Sequence, residues 1–156
     1  MVDMADLDEI YNTRILELAG AMTNNARLAQ PDASATAHSK MCGSTVSIDL
    51  NIQTGRVSNY GQTVKACLLG QAAASVVARE IIGSTPHELR RVATEMHAML
   101  KDNGAPPSGR WADLAVLEPV RHYKARHTST LLVFEAVEKA LDDIDAKLGV
   151  AEGSRR

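Results

Sequence analysis

Residues 45–52 read TVSIDLNI, and this stretch decides the fold. Apolar side chains at 46, 48, 50 and 52 alternate with polar ones at 45, 47, 49 and 51. A period of two predicts a strand with one face on a core and the other, which includes Asp49, toward water. Gln53, Thr54 and Gly55 supply a turn. A return strand over 56–64 is predicted to follow, with a bulge near Asn59 where its phase slips.

Working outward, a third short strand around 36–40 is only weakly indicated, after a loop over 26–36. Helical spacing of apolar residues predicts a helix from near Asp6 to Met22, another after Cys67, and a third that begins at a capping box over 85–88. A short helix over 111–117 should end before Pro119, and a long one should begin near Thr128. We therefore predict an α+β fold in which a small antiparallel three-stranded sheet packs against about five helices. Residues 1–150 form a single domain in this prediction, and 151–156 a mobile tail.

Composition narrows the class of protein. The 156 residues carry a formal net charge of -2, with 45% hydrophobic and 23% charged residues, which is ordinary globular usage. That balance argues against a dedicated nucleic-acid binder, and no apolar run is long enough to span a membrane. Because the start of the chain is acidic and there are two cysteines, we expect a cytoplasmic protein with reduced thiols rather than a disulfide framework.

The two thiols are the first candidates for chemistry. Cys42 precedes the alternating strand, and Cys67 lies where the return strand gives way to a helix, whose N-terminus favours a thiolate. Read without other information, both are first of all small buried hydrophobic residues, as free cysteines commonly are, with metal or sulfur chemistry as the alternative. Residues 121–127 hold the densest positive charge, which is either a solvated face or a group of cations beside a thiolate or another anion. Within that run, His127 has the option of metal ligation, and His38 is a weaker candidate.

Several short motifs resemble those of the U-type iron–sulfur cluster scaffold family, the NifU N-terminal and IscU group, and above all its SufU-like branch. They occur in the family's order over most of the chain: Ile10-Tyr11 with Ile15-Leu16, Asn24-Asn25-Ala26-Arg27-Leu28, Met41-Cys42-Gly43-Ser44, Ala66-Cys67 with Ala72-Ala73-Ala74-Ser75, the Pro-containing insertion at 104–111, and Val120 to Arg126. The resemblance implies a scaffold rather than an enzyme. No motif for nucleotide-driven or hydrolytic catalysis is found in the sequence.

The resemblance also implies a ligand set, from which this chain departs. In the family, three cysteines and the Asp of a Cys-Gly-Asp motif surround the metal or cluster. Here Cys42 and Cys67 take two cysteine positions, whereas Ser44 stands at the Asp position and Ser129 at the third cysteine. A hydroxyl is not an anion at neutral pH, so each replacement lowers metal affinity. His127 is a further candidate ligand, and the implied cargo is a transient iron–sulfur cluster or zinc.

Three hypotheses follow from these residues. In the first, the chain receives sulfur from a cysteine desulfurase and holds a transient cluster for recipient apo-proteins, with a homodimer as one way to complete the ligands. In the second, Cys67 relays sulfur without metal, activated by Arg121, Lys124 or Arg126. In the third, a divergent paralogue keeps the fold as a protein-binding or regulatory module. None of them involves nucleic acid or a membrane.

Overall fold

The computed structural model describes residues 12–22, 26–40 and 43–147. The predicted α+β class is confirmed: a three-stranded antiparallel sheet packs against helices. The elements in chain order are α1 (Thr13–Gly20), β1 (Ala33–His38), β2 (Thr45–Gln53), β3 (Arg56–Lys65), α2 (Leu68–Glu80), α3 (Pro86–Lys101), 3-10 segments at Gly109–His122 and Lys124–Arg126, and α4 (His127–Lys147). In these described ranges, no helix is both long and apolar enough to cross a membrane.

The sheet has the order β1-β2-β3, and its central strand is the alternating stretch. The β2–β3 turn places Thr54 and Gly55 at φ of 55° and 75°, the left-handed pair that a two-residue hairpin turn needs. Asn51 faces Asn59 whereas Ile52 faces Val57, so one residue of β3 is left over between them. The predicted bulge near Asn59 is confirmed.

Asp49 is the exception to the alternation of buried and exposed residues in β2. The prediction that it faces water is wrong, because its side chain is buried. Its side chain is 1% exposed and lies under residues 26–28. Arg27 donates to its carboxylate from Nε at 2.6 Å and Nη2 at 2.8 Å, the Leu28 amide donates at 2.9 Å, and the Ser34 hydroxyl also donates. These hydrogen bonds, with Arg27 the largest contributor, lower the pKa of Asp49 to about 2 although burial opposes the shift.

Gly61, which pairs with Asp49 across the sheet, allows the same loop to come close. A Cβ at this position would lie 2.2 Å from the carbonyl oxygen of Ala26. Real Cβ atoms do not come that near to an oxygen, so only glycine fits here without moving the loop backbone. The loop is therefore fixed to the outer face of the sheet by one buried carboxylate and one missing side chain.

Two further boundaries differ from the sequence predictions. The side chain of Asn12 accepts from the amide of Ile15 at 3.0 Å and caps α1, which begins at Thr13 and ends at Gly20; the predicted start near Asp6 lies outside the described residues. Met22 lies beyond its end, and residues 1–11 are outside the described part. Strand β1 begins at Ala33, inside the stretch predicted as loop.

The predicted short helix over 111–117 differs in type and length from the structure. A 3-10 helix runs from Gly109 through Pro119 to His122. Its buried side chains recur at every third residue: Trp111, Leu114, Leu117 and Val120. A 3-10 helix has three residues per turn, so this spacing keeps all of them on one face. The long last helix is confirmed and begins at His127, one residue before the predicted start.

Candidate functional site

Cys67 stands at the junction between β3 and α2. It is the N-cap residue of α2, with extended backbone at φ -67° and ψ 173°, and its side chain makes no capping hydrogen bond. Its backbone carbonyl accepts from the amide of Gln71 at 2.9 Å, which starts the helix. The thiol is reduced and partly exposed. A sulfur at a helix N-terminus lies near unpaired backbone N–H groups, which favour negative charge there.

The structure brings Ser129 to this thiol from a distance of 62 residues along the chain, with 3.2 Å between Cys67 Sγ and Ser129 Oγ. Ser129 lies in the first turn of α4 and is buried at 3% exposure. The N-terminal turns of α2 and α4 therefore meet at one point. A hydroxyl there is able to donate to a thiolate, but it is a poor metal ligand while it keeps its proton.

Gly70 makes this approach of α2 and α4 possible, and the sequence analysis missed it. A Cβ on Gly70 would lie 2.8 Å from Cβ of Ala66 and 3.0 Å from the backbone oxygen of Ser129. The signal was present, because a glycine inside a helix costs about 1 kcal/mol relative to alanine and usually marks a close contact.

Ser44 lies at the same end of the sheet, in the connection between β1 and β2. The amide of Ser39 donates to the carbonyl of Ser44 at 2.9 Å, the amide of Gly43 donates to the carbonyl of Ser39 at 2.9 Å, and Gly43 has φ of +72°. Ser44 is buried at 5% exposure. Thr45 pairs with Lys65, so the residues before β2 and those after β3 leave the sheet together. Cys42 itself is outside the described residues.

His127 is buried at 4% exposure, and its Nε2 lies 3.1 Å from the backbone oxygens of both Val120 and Arg121. Carbonyl oxygens only accept hydrogen bonds, so Nε2 carries the proton and donates. In this tautomer Nδ1 keeps the lone pair that a metal would need. The ring also ties the 3-10 segment to the start of α4, and metal ligation by His127 stays a prediction.

The suggested activators of Cys67 separate into two groups. Arg121 donates from Nε to the carbonyl of Met99 at 3.1 Å and from Nη2 to that of Gly104 at 2.9 Å, so its guanidinium is bonded to the end of α3 and the loop after it. Lys124 and Arg126 are exposed. His38, at the end of β1, has Nδ1 at 3.2 Å from the hydroxyl of Thr45. Among the described residues, no three His, Cys, Asp or Glu side chains come together as a metal site.

The comparisons with known proteins agree on the fold. The chain is similar to a nitrogen-fixing NifU-like protein (N-terminal) from Brucella abortus, with 54% identity and a TM-score of 0.89 over 91% of this chain and 99% of that chain. It is 22% identical over 135 residues to the iron–sulfur cluster assembly scaffold protein IscU of Thermotoga maritima, which covers 86% of this chain and 94% of that protein.

A more distant solved structure, assigned as the SUF-system scaffold protein of Fervidobacterium islandicum AW-1, matches with a TM-score of 0.77 at 17% identity, over 85% of this chain and 97% of that chain. At this identity the likeness shows the fold alone. No protein-family model matches the chain. The 54% identity over nearly all of both chains shows the family, and the chain belongs to the U-type iron–sulfur cluster scaffold proteins, which are carriers rather than enzymes.

Proposed function

We propose that this chain serves iron–sulfur cluster assembly by receiving sulfur from a cysteine desulfurase at Cys67 and holding a transient cluster through Cys67 and Cys42. The observation that carries the proposal is the contact between Cys67 Sγ and Ser129 Oγ at 3.2 Å. It joins a partly exposed thiol to the residue that the family resemblance puts at the third cysteine position. A cytoplasmic setting suits this role, because thiols that carry sulfur must remain reduced.

Sulfur transfer needs only Cys67 and a donor persulfide. The Cys67 thiolate attacks the terminal sulfur of the donor's Cys–S–SH group, a new S–S bond forms on Cys67, and the donor leaves as a thiolate. Nothing is oxidised or reduced overall, because one S–S bond replaces another. Cys67 attacks from the N-cap position of α2, and the hydroxyl of Ser129 lies within hydrogen-bond distance of the same sulfur.

The cargo would be held weakly, since Cys42 and Cys67 supply two thiolates where an iron–sulfur cluster usually has four protein ligands. Ser44 and Ser129 stand at the other two family positions and offer hydroxyls. A second protomer or a small thiol would complete the set. Weak binding suits a scaffold that must pass its cluster to recipient apo-proteins. Zinc would compete for the same thiolates.

Anaerobic reconstitution with iron and sulfide tests the cluster. We expect sulfur-to-iron charge-transfer absorption in the unchanged protein and its loss in Cys67→Ala and in Cys42→Ala. Ser75→Ala on α2 is a matched control that alters a buried small residue of the same helix and should keep the absorption. No absorption in the unchanged protein would refute cluster binding.

Mass spectrometry tests the sulfur step separately. After incubation with a cysteine desulfurase and cysteine, the chain should gain about 32 Da, one sulfur atom, on the peptide that contains Cys67. If this gain appears without any cluster, the chain is a sulfur relay. If neither appears, the replacement of two anionic ligands by Ser44 and Ser129 favours the divergent paralogue, a protein-binding module whose cellular role should survive replacement of both cysteines by alanine.

A further inference from the structure

Four exposed cationic residues flank the Cys67–Ser129 contact, and we call Lys40, Lys65, Lys124 and Arg126 the basic rim. Lys65 ends β3 just before Cys67. Lys124 and Arg126 form the 3-10 turn just before α4, and the backbone oxygen of Arg126 accepts from Ser129 Oγ at 3.5 Å and from Thr130 Oγ1 at 2.8 Å. The rim thus approaches the site from both elements that make the contact.

Lys40 belongs to the same end of the molecule through the sheet. It follows Ser39, whose amide bonds to Ser44, and Thr45 pairs with His38 on one side and Lys65 on the other. The end of β1, the start of β2 and the end of β3 therefore form one row across the sheet. Lys40 and Lys65 lie at or just beyond that row.

The rim carries no compensating negative charge. Segments 36–48, 61–71 and 119–134, which contain it and the site, include none of the chain's 19 Asp and Glu residues. Within the described ranges, no rim side chain forms an ion pair. Most other cations of this chain do, for example Arg79 with Asp113 at 2.9 Å and Arg90 with Asp142 at 2.9 Å. On a chain of net charge -2, this is a localised positive surface.

We infer that the basic rim is a docking surface for a partner protein whose contacting face is rich in Asp and Glu around its sulfur-bearing cysteine. The inference deepens the proposed function and rests on it. Unpaired exposed cations attract an opposite surface over roughly a Debye length and raise the rate of association. They also orient the partner so that its cysteine meets Cys67 at the centre of the rim.

A protein partner fits better than a small anion or a nucleic acid. The rim side chains are exposed and come from three separate segments beside the site, so together they offer a broad surface of the kind that a protein contacts. A nucleic-acid surface would need a broader excess of positive charge, and the chain has 17 Lys and Arg against 19 Asp and Glu. Its aromatic content of 3% also leaves few rings on which bases could stack.

The test measures binding to a purified cysteine desulfurase from the same organism. A variant with Lys65→Glu, Lys124→Glu and Arg126→Glu is compared with Arg56→Glu, which reverses a charge at the opposite end of β3, about 30 Å away at the usual rise per strand residue. The triple variant should bind about tenfold or more weakly, and Arg56→Glu within about twofold of the unchanged protein. Raising NaCl from about 50 to 300 mM should weaken binding of the unchanged protein by about tenfold.

A small sulfur donor separates this inference from the proposed function. Inorganic polysulfide needs no docking, so at completion it should load Cys67 to the same extent in the unchanged protein and in the triple variant, whatever the rate; circular dichroism shows that the variant is folded. If polysulfide adds sulfur to Cys67 in neither protein, the proposed function is refuted. If both proteins are loaded equally but desulfurase binding changes neither with salt nor with charge reversal, the docking surface is refuted and the proposed function stands. Competition by single-stranded DNA of about 20 nucleotides at physiological salt would overturn it in favour of nucleic acid.

Discussion

The middle of β2 and its N-terminal end differ in how their polar groups are satisfied. In the middle, the Asp49 carboxylate is buried, accepts from three residues and lies opposite a glycine that admits the loop. Near the N-terminal end, Cys67 is partly exposed with the hydroxyl of Ser129 beside it, and the cations around it have no ion-pair partners among the described residues. The middle of the strand serves stability, whereas the N-terminal end leaves its chemistry open to something outside the chain.

The largest effect that this comparison predicts is on Gly61, opposite Asp49. In Gly61→Ala the new Cβ would meet the carbonyl oxygen of Ala26 at 2.2 Å, so the loop must move and its hydrogen bonds to Asp49 must weaken. We expect a loss of about 3 kcal/mol in the free energy of unfolding, measured by urea denaturation. Gly20→Ala, with nothing within 4 Å of its new Cβ, should be neutral or slightly stabilising. Equal effects of the two changes would show that the loop is not fixed at Gly61.

The next largest effect is expected for Asp49→Asn. It should lower the free energy of unfolding by about 2 kcal/mol near neutral pH, because the charge-assisted hydrogen bonds from Arg27 are lost. The folded-state pKa of about 2 lies below the unfolded value near 3.8, so this stability is present above about pH 4 and disappears as pH falls through 2. Denaturation curves at several pH values should show unchanged and variant proteins converging in acid. Asp143→Asn, whose partner Lys147 is an exposed neighbour on α4, should cost less than about 0.5 kcal/mol.

Near the N-terminal end of β2, Ser129→Cys should increase the difference between the two regions by adding a thiol beside Cys67. Under reducing conditions we expect zinc affinity to rise about tenfold or more, measured by competition with a chromogenic chelator, because a third thiolate replaces a neutral hydroxyl. Ser129→Ala is the matched control and should leave zinc affinity near that of the unchanged protein. An unchanged affinity in Ser129→Cys would mean that residue 129 does not belong to the ligand shell.

The smallest expected effect is that of Ser129→Ala on stability. The hydroxyl bonds to a partly exposed sulfur and, at 3.5 Å, to the oxygen of Arg126, so its loss should change the free energy of unfolding by less than about 1 kcal/mol. Thermal and urea denaturation measure this. A loss above 2 kcal/mol would remove the contrast, because the Cys67–Ser129 contact would then be structural, like the surroundings of Asp49.

The sequence predicted the elements whose pattern is local. The alternation in β2 placed the strand correctly, and the slipped phase after Val57 located the bulge, because both depend only on the side chains of neighbouring residues. Asp49 was misplaced, since its burial depends on a loop about 20 residues earlier in the chain. The 3-10 segment was missed although its three-residue spacing is visible from Trp111 to Val120.

The sequence predicted the site less well than the fold. No periodicity links Cys67 to Ser129, and their pairing came from the family resemblance before the contact was seen at 3.2 Å. For His127 the sequence suggested a metal ligand, and the structure adds that its Nε2 donates to two backbone oxygens. Backbone acceptors cannot be read from side-chain identity, so the sequence did not indicate these contacts.

Gly70 has one more consequence, which concerns the width of the site. A Cβ on residue 70 would lie 3.0 Å from the backbone oxygen of Ser129, so glycine here lets the backbones of α2 and α4 come close together. Changes of rotamer at Cys67 and Ser129 move the sulfur and the hydroxyl, but they leave the spacing of the two helices unchanged. The absence of a side chain at residue 70 keeps α2 and α4 close together, and a larger residue there would separate Cys67 Sγ from Ser129 Oγ.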